Sequence, residues 1–337
     1  MEAAAGVAPI VHYREVAFMG IVNVVKNLGK LTRIGRQIQA AMRDFAPDVV
    51  IPVDYADFNF RFILPYAKKE LRCPVIYYIL PKLWAWRAGR IRQLRRYVDL
   101  GLSILPFETS YFSDRGLRTA YIGNPCVDAK LTYLAEHPEP VEREQILLLV
   151  PGSRQSELRD NLPEMLAATA AYSQLGWRVV IAGAPGLTAA DYAHHLGKYS
   201  DTPILFGDTY GLMRRAHAAL VTSGTATLEA GLWAIPMVVC YRMGGRRIAR
   251  LAFEHLFRVP YFSLVNLILD RPAVPELLAD RAHSVQILSI LSRLIPEEDH
   301  RRTDQLQAFT QLQELMGTEP SAPRAARAIL SYLHKVR

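Results

Sequence analysis

Cysteine is scarce in this sequence. The 337 residues include only Cys73, Cys126 and Cys240, which lie far apart and in apolar surroundings. Three isolated thiols do not build the disulfide framework of a small secreted domain, and their spacing fits no common zinc motif. We therefore expect reduced, buried thiols in a cytoplasmic protein, and we expect no metal site.

Long apolar runs are missing as well. No stretch approaches the ~18 to 20 apolar residues of a membrane span. The first residues, MEAAAGVAPIVHYRE, have neither a basic start nor a long apolar block, so they do not resemble a signal peptide. These absences argue against an integral membrane protein and against a secreted one.

The composition nevertheless supports substantial cores. Hydrophobic residues make up 50% of the chain and charged residues 21%, which excludes a disordered protein. The formal net charge of +8 favours an anionic partner, although composition does not say which kind.

Apolar, strand-like runs alternate with helical segments along most of the chain, which predicts parallel, doubly wound α/β sheets. At about 150 residues per domain, the length predicts two domains. A polar stretch rich in Glu and Pro, 136–144, is the predicted linker. We therefore expect one α/β domain over 1–143, a second over 144–320, and a last helix within 321–337.

The stretch ALVTSGTATLEAGLWAIPMVVCYR, 219–242, predicts a strand, a small polar loop, a helix and a second strand. Gly224 would let a ligand approach the backbone, and the hydroxyls of Ser223 and Thr225 would face the same point as the free N–H groups of the helix. Such a helix start can bind a nucleotide diphosphate, with Glu229 accepting hydrogen bonds from a ribose. An ordinary strand-to-helix turn explains the same pattern, and spacing alone does not decide.

A similar loop follows the predicted strand 146–150. Gly152 and Ser153 open it, and Arg154 could hold a diphosphate with both arms of its guanidinium. In the first half, Asp54 follows the predicted strand 48–53, at the edge where open α/β sheets bind ligands. A carboxylate there is a candidate general base, although a helix N-cap is the commoner use.

Two basic regions have open interpretations. Five arginines within ten residues, beside Trp84 and Trp86, could bind phosphates, sugars or nucleic acid, or could form a solvated helix face. They are Arg87, Arg90, Arg92, Arg95 and Arg96. Earlier, apolar residues between 18 and 34 alternate with lysines and arginines, which fits either an interfacial helix on an anionic membrane or a core helix.

Several strings, taken in order, resemble those of bacterial lipid-A-disaccharide synthase, a GT-B-type glycosyltransferase. They are MGIVNVV, PDVVIPVDYADFN, WAWR, LPFE, YIGNP, PGSR, SGTATLE, PMVVCYR and SLVNL. The resemblance runs from about residue 1 to the end of the chain. It implies two doubly wound, Rossmann-like domains facing across a cleft, with the last helix crossing back to the first domain.

The resemblance also implies a reaction. The family transfers 2,3-diacylglucosamine, with inversion, from its UDP ester to the 6-hydroxyl of 2,3-diacylglucosamine 1-phosphate, which gives a β-1,6 disaccharide. No metal or other cofactor is implied, and nucleic acid is not an expected partner. The stretch 19–31 would contact the cytoplasmic face of the inner membrane of a Gram-negative bacterium, and pairing as a homodimer is left open.

Site residues carry over position by position. The resemblance implies that Asp54 is the essential carboxylate and base, that Arg154 contacts the diphosphate or the donor, and that Asn266, in SLVNL, is important near the donor. It assigns the binding of UDP to a second group of residues. They are Gly152, Ser153, Ser223, Gly224, Thr225 and Glu229.

The sequence departs from the family at several points. Leu80 stands where many members have Ser, and Asn124 where many have His. Before the position matching Met1, members carry a first strand and a GE-S-GD loop that the 337 residues lack, so unpaired neighbouring strands and weak or no activity are expected. Two alternatives therefore stay open: a UDP-N-acetylglucosamine 2-epimerase or other GT-B enzyme, and an inactive membrane-associated fragment that binds UDP.

Overall fold

The protein folds into two compact units. The computed structural model describes residues 9–11, 28–242 and 259–336. The first unit comprises Met1–Ile122 together with Ala325–Arg337, and the second comprises Gly123–Arg324. This division falls before the boundary predicted at residue 143.

The earlier boundary follows from the packing of one helix, Pro125–Glu136. Its Tyr133 ring meets Tyr210 and Trp233 of the second unit edge to face, with ring centroids 5.9 and 5.7 Å apart. Its Lys130 Nζ donates to the carbonyl of Leu232 at 2.7 Å. Because aromatic pairs of this kind stabilise a packed interface, the helix belongs with the residues that follow it rather than with the first unit.

Within the described residues, the sheet of the first unit has three parallel strands in the order β1-β2-β3: Ile76–Tyr78, Leu100–Ser103 and Thr119–Tyr121. The predicted strand 48–53 lies beside β1, where Val50 and Val53 form isolated parallel bridges to Val75 and Tyr78. Asp54 therefore does follow a strand-like segment at its carboxyl end.

Helices cover both faces of this sheet. Leu31 and Ile34 of the first helix pack with Val75 and Tyr77 on one face. Ile76 and its neighbours on the other face pack against the last helix of the chain. The helices are α1 Leu28–Phe45; α2, made of Ala56–Phe58, Asn59–Ile63, Leu64–Tyr66 and Ala67–Leu71; α3 Ile91–Tyr97; α4 Pro106–Ser113; and the last helix, α13, Ser321–Val336.

In the part of the second unit that the structure describes, which leaves out 243–258, the sheet has six parallel strands in the order β6-β5-β4-β7-β8-β9. In chain order they are β4 Glu144–Val150, β5 Arg178–Gly183, β6 Ile204–Phe206, β7 Ala216–Thr222, β8 Met237–Tyr241 and β9 Glu276–Leu278. Every residue of β7 is buried. A strand buried on both faces is a near-continuous apolar run, which is how this segment was recognised in the sequence.

The helices of this unit alternate with its strands, as a doubly wound sheet requires. They are α5 Pro125–Glu136, α6 Gln155–Gln174, α7 Ala189–Leu196, α8 Thr209–Arg215, α9 Thr225–Leu232, α10 Leu264–Leu269, α11 Ser284–Leu291 and α12 His300–Met316. Within the described part of the chain, no helix combines the length and the apolar character that crossing a membrane demands.

The strand order brings two distant loops together. Strands β4 and β7 are neighbours, with Val150 paired to Val221. The loop 151–154 after β4 and the loop 223–224 after β7 therefore leave the same edge of the sheet side by side. This is the carboxyl edge at which open α/β sheets bind ligands.

Candidate active site

The loop after β4 is held by a carboxylate that the sequence analysis did not single out. Glu157 Oε2 accepts the N–H of Ser153 at 2.8 Å, and Glu157 Oε1 accepts a hydrogen bond from Arg154 Nη1 at 2.7 Å. Gly152 has φ 114°, and a Cβ added there would lie 2.4 Å from Glu157 Oε2. Glycine is thus required both by the backbone angle and by the carboxylate that fills the space beside it.

This arrangement leaves Arg154 oriented but accessible. Its side chain is 54% exposed, whereas that of Glu157 is 13% exposed. Arg154 is the N-cap residue of α6, so Glu157 stands three residues later. This is the position from which a glutamate reaches back in a capping box, and the spacing was a usable signal for Glu157 in the sequence.

The loop after β7 ends in an unusual glycine. Gly224 is the N-cap residue of α9, with φ 142° and ψ −157°, and among the described residues no side chain caps this helix. Gly224 is therefore the N-cap residue, and neither Thr222 nor Ser223 caps the helix. The first N–H groups of α9 have no partner within the helix and carry its positive dipole end, which together suit an anion.

The hydroxyl groups of the residues around Gly224 differ in burial and in hydrogen bonding. Ser223 Oγ donates to the carbonyl of Phe262 at 2.8 Å, which fixes the loop. Thr225, the first residue of α9, is exposed. Thr222 Oγ1, at the end of β7, is buried with no hydrogen-bond partner in the part of the chain that the structure describes. The edge thus offers polar groups that intramolecular bonds have not used.

Glu229 lies one turn into α9, as predicted. Its Oε1 accepts a hydrogen bond of 2.7 Å from the hydroxyl of Tyr210. Burial, and then the bond to Glu229, raise the pKa of the Tyr210 hydroxyl well above its ordinary value, so tyrosine stays the donor at neutral pH. The carboxylate is therefore held in one orientation.

The side chain of Asn266 is bonded within the second unit. Its side chain is buried, and Nδ2 donates to Val274 O and to Glu276 Oε1, both at 2.9 Å. Its Oδ1 accepts the N–H of Val274 at 2.8 Å. Both amide hydrogens are thus used within the protein. The structure gives Asn266 a supporting position, and its importance near the donor, which the resemblance implied, stays a prediction.

Asn266 is connected to the loop after β7 by hydrogen bonds of Glu276, another residue that the sequence analysis missed. Its carboxylate accepts the N–H groups of Phe262 and Ser263 at 3.0 and 2.8 Å, in addition to the Asn266 bond. The carbonyl of Phe262 in turn accepts the Ser223 hydroxyl. Only the tertiary fold joins Glu276 to Ser223, so no local pattern announced this connection.

We expect Glu276→Gln to lower the free energy of unfolding by about 1 to 3 kcal/mol, because an amide cannot accept all three hydrogen bonds and leaves one buried donor unpaired. Urea denaturation measures the loss. Glu314→Gln is the matched control, since Glu314 is exposed on α12. Equal stability of the two variants would contradict this role of Glu276.

In the first unit, Asp54 is exposed on a tightly held backbone. Asp54 and Tyr55 have φ 43° and 39°, in the left-handed region. The carbonyl of Asp54 accepts hydrogen bonds from Tyr77 Oη and from Asn59 Nδ2, both at 2.6 Å, and its N–H donates to the carbonyl of Tyr78 at 3.1 Å. Strained backbone that several bonds stabilise is a mark of functional loops.

The WAWR and LPFE strings meet inside this unit. Glu108, buried in α4, accepts hydrogen bonds from Trp84 Nε1 at 2.9 Å and from the N–H of Leu105 at 3.2 Å. Burial raises the pKa of Glu108 to about 6, so the carboxylate form predominates at neutral pH. Glu108 thus anchors the loop that carries Trp86 and the start of the arginine run.

Comparisons with known proteins identify the family to which the chain is similar. A family model described as lipid-A-disaccharide synthetase matches residues 1–329. Lipid-A-disaccharide synthase of Myxococcus xanthus is 35% identical over 98% of this chain and 87% of that protein. The corresponding synthase of Acidobacterium capsulatum is 33% identical over 95% of this chain and 83% of that protein.

Solved structures agree on the fold. The S. aureus MnaA–UDP co-structure has a TM-score of 0.62 at 13% identity, covering 99% of this chain and 86% of that one. The UDP-GlcNAc 2-epimerase of Neisseria meningitidis, bound to UDP-GlcNAc, has a TM-score of 0.56 at 13% identity, covering 94% and 84%. These likenesses confirm the predicted GT-B-type α/β architecture.

Proposed function

The chain belongs to the lipid-A-disaccharide synthase family, and from this membership we propose how its residues perform the family's glycosyl transfer. The donor is UDP-2,3-diacylglucosamine, and the acceptor is 2,3-diacylglucosamine 1-phosphate. The 6-hydroxyl of the acceptor displaces UDP with inversion at the anomeric carbon, giving the β-1,6 disaccharide 1-phosphate. The observation that carries the proposal is the uncapped start of α9 beside the Arg154 loop.

The donor residues lie in the second unit. The diphosphate of UDP accepts hydrogen bonds from the first N–H groups of α9 and from the Ser153 and Arg154 loop. Gly152 and Gly224 let the backbone come close to it. Thr225 adds a hydroxyl, and the Glu229 oxygen that Tyr210 leaves open accepts a ribose hydroxyl.

The acceptor residue is in the first unit. As O6 of the acceptor bonds to the anomeric carbon, the Asp54 carboxylate takes the proton from O6. The bond between that carbon and the UDP oxygen breaks, and UDP departs with the electron pair. Arg154 and the dipole of α9 stabilise the negative charge that develops on the leaving group. The step needs no redox chemistry and balances with one proton passed to Asp54.

The two alternatives are not favoured. Relatives named as lipid-A-disaccharide synthases are 31–35% identical over nearly the whole chain, whereas solved epimerases share 11–15% identity and show the fold alone. The family model and the same relatives, all named as synthases, likewise do not favour an inactive UDP-binding fragment.

An assay of both activities tests the proposal. The purified chain, in detergent micelles with both lipid substrates, should release UDP and one disaccharide per turnover, with a β-1,6 linkage by NMR. Incubation with UDP-N-acetylglucosamine alone should leave that sugar unchanged. Epimerisation of UDP-N-acetylglucosamine without disaccharide formation would overturn the assignment, and UDP binding without either reaction would support the inactive fragment.

The membrane surface is a further part of the proposal. Most of the predicted contact stretch, 19–27, lies outside the described residues. Its end is corrected, because Leu31 is buried in the core of the first unit, as is Ile34 in the next turn of α1. We propose that the residues before α1 hold the enzyme peripherally on the cytoplasmic face of the inner membrane, where its lipid substrates reside.

Replacing Val22 and Val25 together by Asp should move the protein from the membrane pellet to the supernatant, because buried charge is unfavourable at a lipid interface. Membrane binding of the unaltered chain should weaken as salt rises, since Lys26 and Lys30 add attraction to anionic lipid. Val141 and Val285, both exposed, provide the control pair of Asp substitutions. Unfolding of the Val22 and Val25 variant, seen by circular dichroism, would place those valines in the core.

A further inference from the structure

Two arginines of the basic run converge on one carboxylate. Arg87 Nη1 lies 2.7 Å from Asp57 Oδ1, and Arg90 Nη2 pairs with the same oxygen. The side chain of Arg87 is 42% exposed, that of Arg90 27% and that of Asp57 65%. Asp57 therefore balances only one of the two guanidinium groups, and solvent can reach all three side chains.

The packing around them holds the two guanidinium groups in place. Arg87 lies over the Trp86 ring, 4.2 Å from its centroid, and Arg90 lies over the Phe60 ring at 5.0 Å. Arg87 has φ 54°, in the left-handed region, at the start of the helical turn Ala88–Arg90. Stacking on aromatic faces limits the rotamers of an arginine, so this pair is oriented before any ligand arrives.

The pair shares its surroundings with the proposed base. Asp57 lies in the first turn of α2, three residues after Asp54. The hydroxyl of the buried Tyr77 donates to the carbonyl of Asp54. The charges of Asp54, Asp57 and Arg90 all act on that hydroxyl, although burial is the main reason that the pKa of Tyr77 is raised to about 12. Base and arginines thus stand at one end of the first sheet.

We propose that Arg87 and Arg90 bind the 1-phosphate of the acceptor, and that Asp57 pairs with them while no acceptor is bound. The inference rests on the proposed function, which supplies a phosphomonoester as the acceptor's only strongly charged group. On the glucosamine ring, C1 and C5 flank the ring oxygen, so the phosphate and the 6-hydroxymethyl group leave from the same edge of the sugar. When the base holds O6 of the acceptor, the 1-phosphate of the same sugar therefore lies about one ring away, and a cationic site is needed there to bind it.

The charges favour exchange of Asp57 for a phosphate. An exposed ion pair contributes little to stability, so releasing Asp57 costs little. A phosphomonoester carries about −1.5 to −2 charge near neutral pH and three acceptor oxygens, and guanidinium groups bind it through paired hydrogen bonds. Asp57 then serves as a counter-charge that keeps both arginines aimed at the empty site.

Specificity between two acceptors tests this directly. The unaltered enzyme should use the 1-phosphate acceptor in preference to the same lipid with a free 1-hydroxyl. We expect Arg87→Ala and Arg90→Ala each to lower kcat/KM for the phosphorylated acceptor by roughly 10-fold or more, since each removes charge-assisted hydrogen bonds. The rate with the 1-hydroxyl acceptor should change by no more than about 2-fold, so the preference between the two collapses.

Controls come from the same segment. Arg92→Ala removes an exposed arginine of α3 and should keep the wild-type preference. Arg90→Lys retains the charge without the two-armed geometry and should fall between wild type and Arg90→Ala. An equal loss on both acceptors would mean that the arginines support the fold only, and would overturn the proposal.

The headgroups of phospholipids also carry phosphate, so a further experiment distinguishes binding of the acceptor from binding of the membrane. Binding of each variant to phosphatidylglycerol vesicles is measured by sedimentation. Weaker sedimentation with an unchanged acceptor preference would assign the pair to the membrane and overturn the proposal. If the wild type forms no disaccharide with either acceptor, the proposed function fails. In that case the binding of the two acceptors in micelles is measured directly. If the unaltered chain prefers the 1-phosphate acceptor and Arg87→Ala abolishes this preference, the phosphate site is supported. If the preference is the same in Arg87→Ala, the proposal is overturned.

Discussion

Replacing Asp54 by Asn should lower the rate of glycosyl transfer by roughly two to four orders of magnitude, the usual contribution of a general base. The affinity for UDP should stay nearly unchanged, because the proposed UDP residues all belong to the second unit. The acceptor 6-hydroxyl would then have to attack without losing its proton to a carboxylate.

Asparagine is the informative substitution at this position. Asp54 has φ 43°, and Asn is one of the few residues that enter the left-handed region readily. The hydrogen bonds from Tyr77 and Asn59 reach the backbone carbonyl of Asp54, so they survive the change. The variant therefore removes the charge of the side chain and leaves the loop in place.

Single-turnover rates and calorimetric titration with UDP measure the two quantities separately. Asp57→Asn is the matched control, and it should cost less, because Asp57 pairs with the arginines and takes no proton from the acceptor. A wild-type rate in Asp54→Asn would exclude Asp54 as the base. Loss of UDP binding would point to a structural role instead.

Local pattern predicted much of this fold. The apolar runs that became β4 and β7, and the polar loops after them, were visible because strand burial and glycine-containing turns leave short-range signals. That β4 pairs directly with β7 was not visible from those signals. Pairing order depends on long-range packing, and only this order brings Arg154 beside Gly224.

The same distinction between local pattern and long-range packing explains what the sequence did not predict. The domain boundary moved to residue 122 because Tyr133 packs on Tyr210 and Trp233, which are distant in sequence. Asn266 was predicted near the donor, and its hydrogen bonds to Val274 and to a glutamate ten residues away had no signal in the sequence. Side chains of this kind look alike in a sequence, and burial alone separates a ligand contact from a support.

Replacing Arg154 by Ala should lower kcat/KM for the UDP donor by roughly 10- to 150-fold, which corresponds to a loss of about 1.5 to 3 kcal/mol for a hydrogen bond to a charged group. The guanidinium is exposed and oriented by Glu157, so it can reach a diphosphate without unfolding the loop. Because negative charge on UDP grows as the glycosidic bond breaks, kcat should fall in addition to any rise in KM.

The loop itself should survive the Arg154→Ala change, since Glu157 keeps its bond to the Ser153 N–H. Arg159→Ala is the matched control: Arg159 lies on the same helix in an exposed pair with Asp160, and its loss should leave both constants within about 2-fold. Arg154→Lys should recover part of the rate, because an ammonium supplies charge but not two parallel hydrogen bonds. Steady-state kinetics at varied donor concentration measures all three variants. An Arg154→Ala enzyme that is folded and turns over like the Arg159→Ala control would remove Arg154 from the donor site and leave the start of α9 as the group that stabilises the departing UDP.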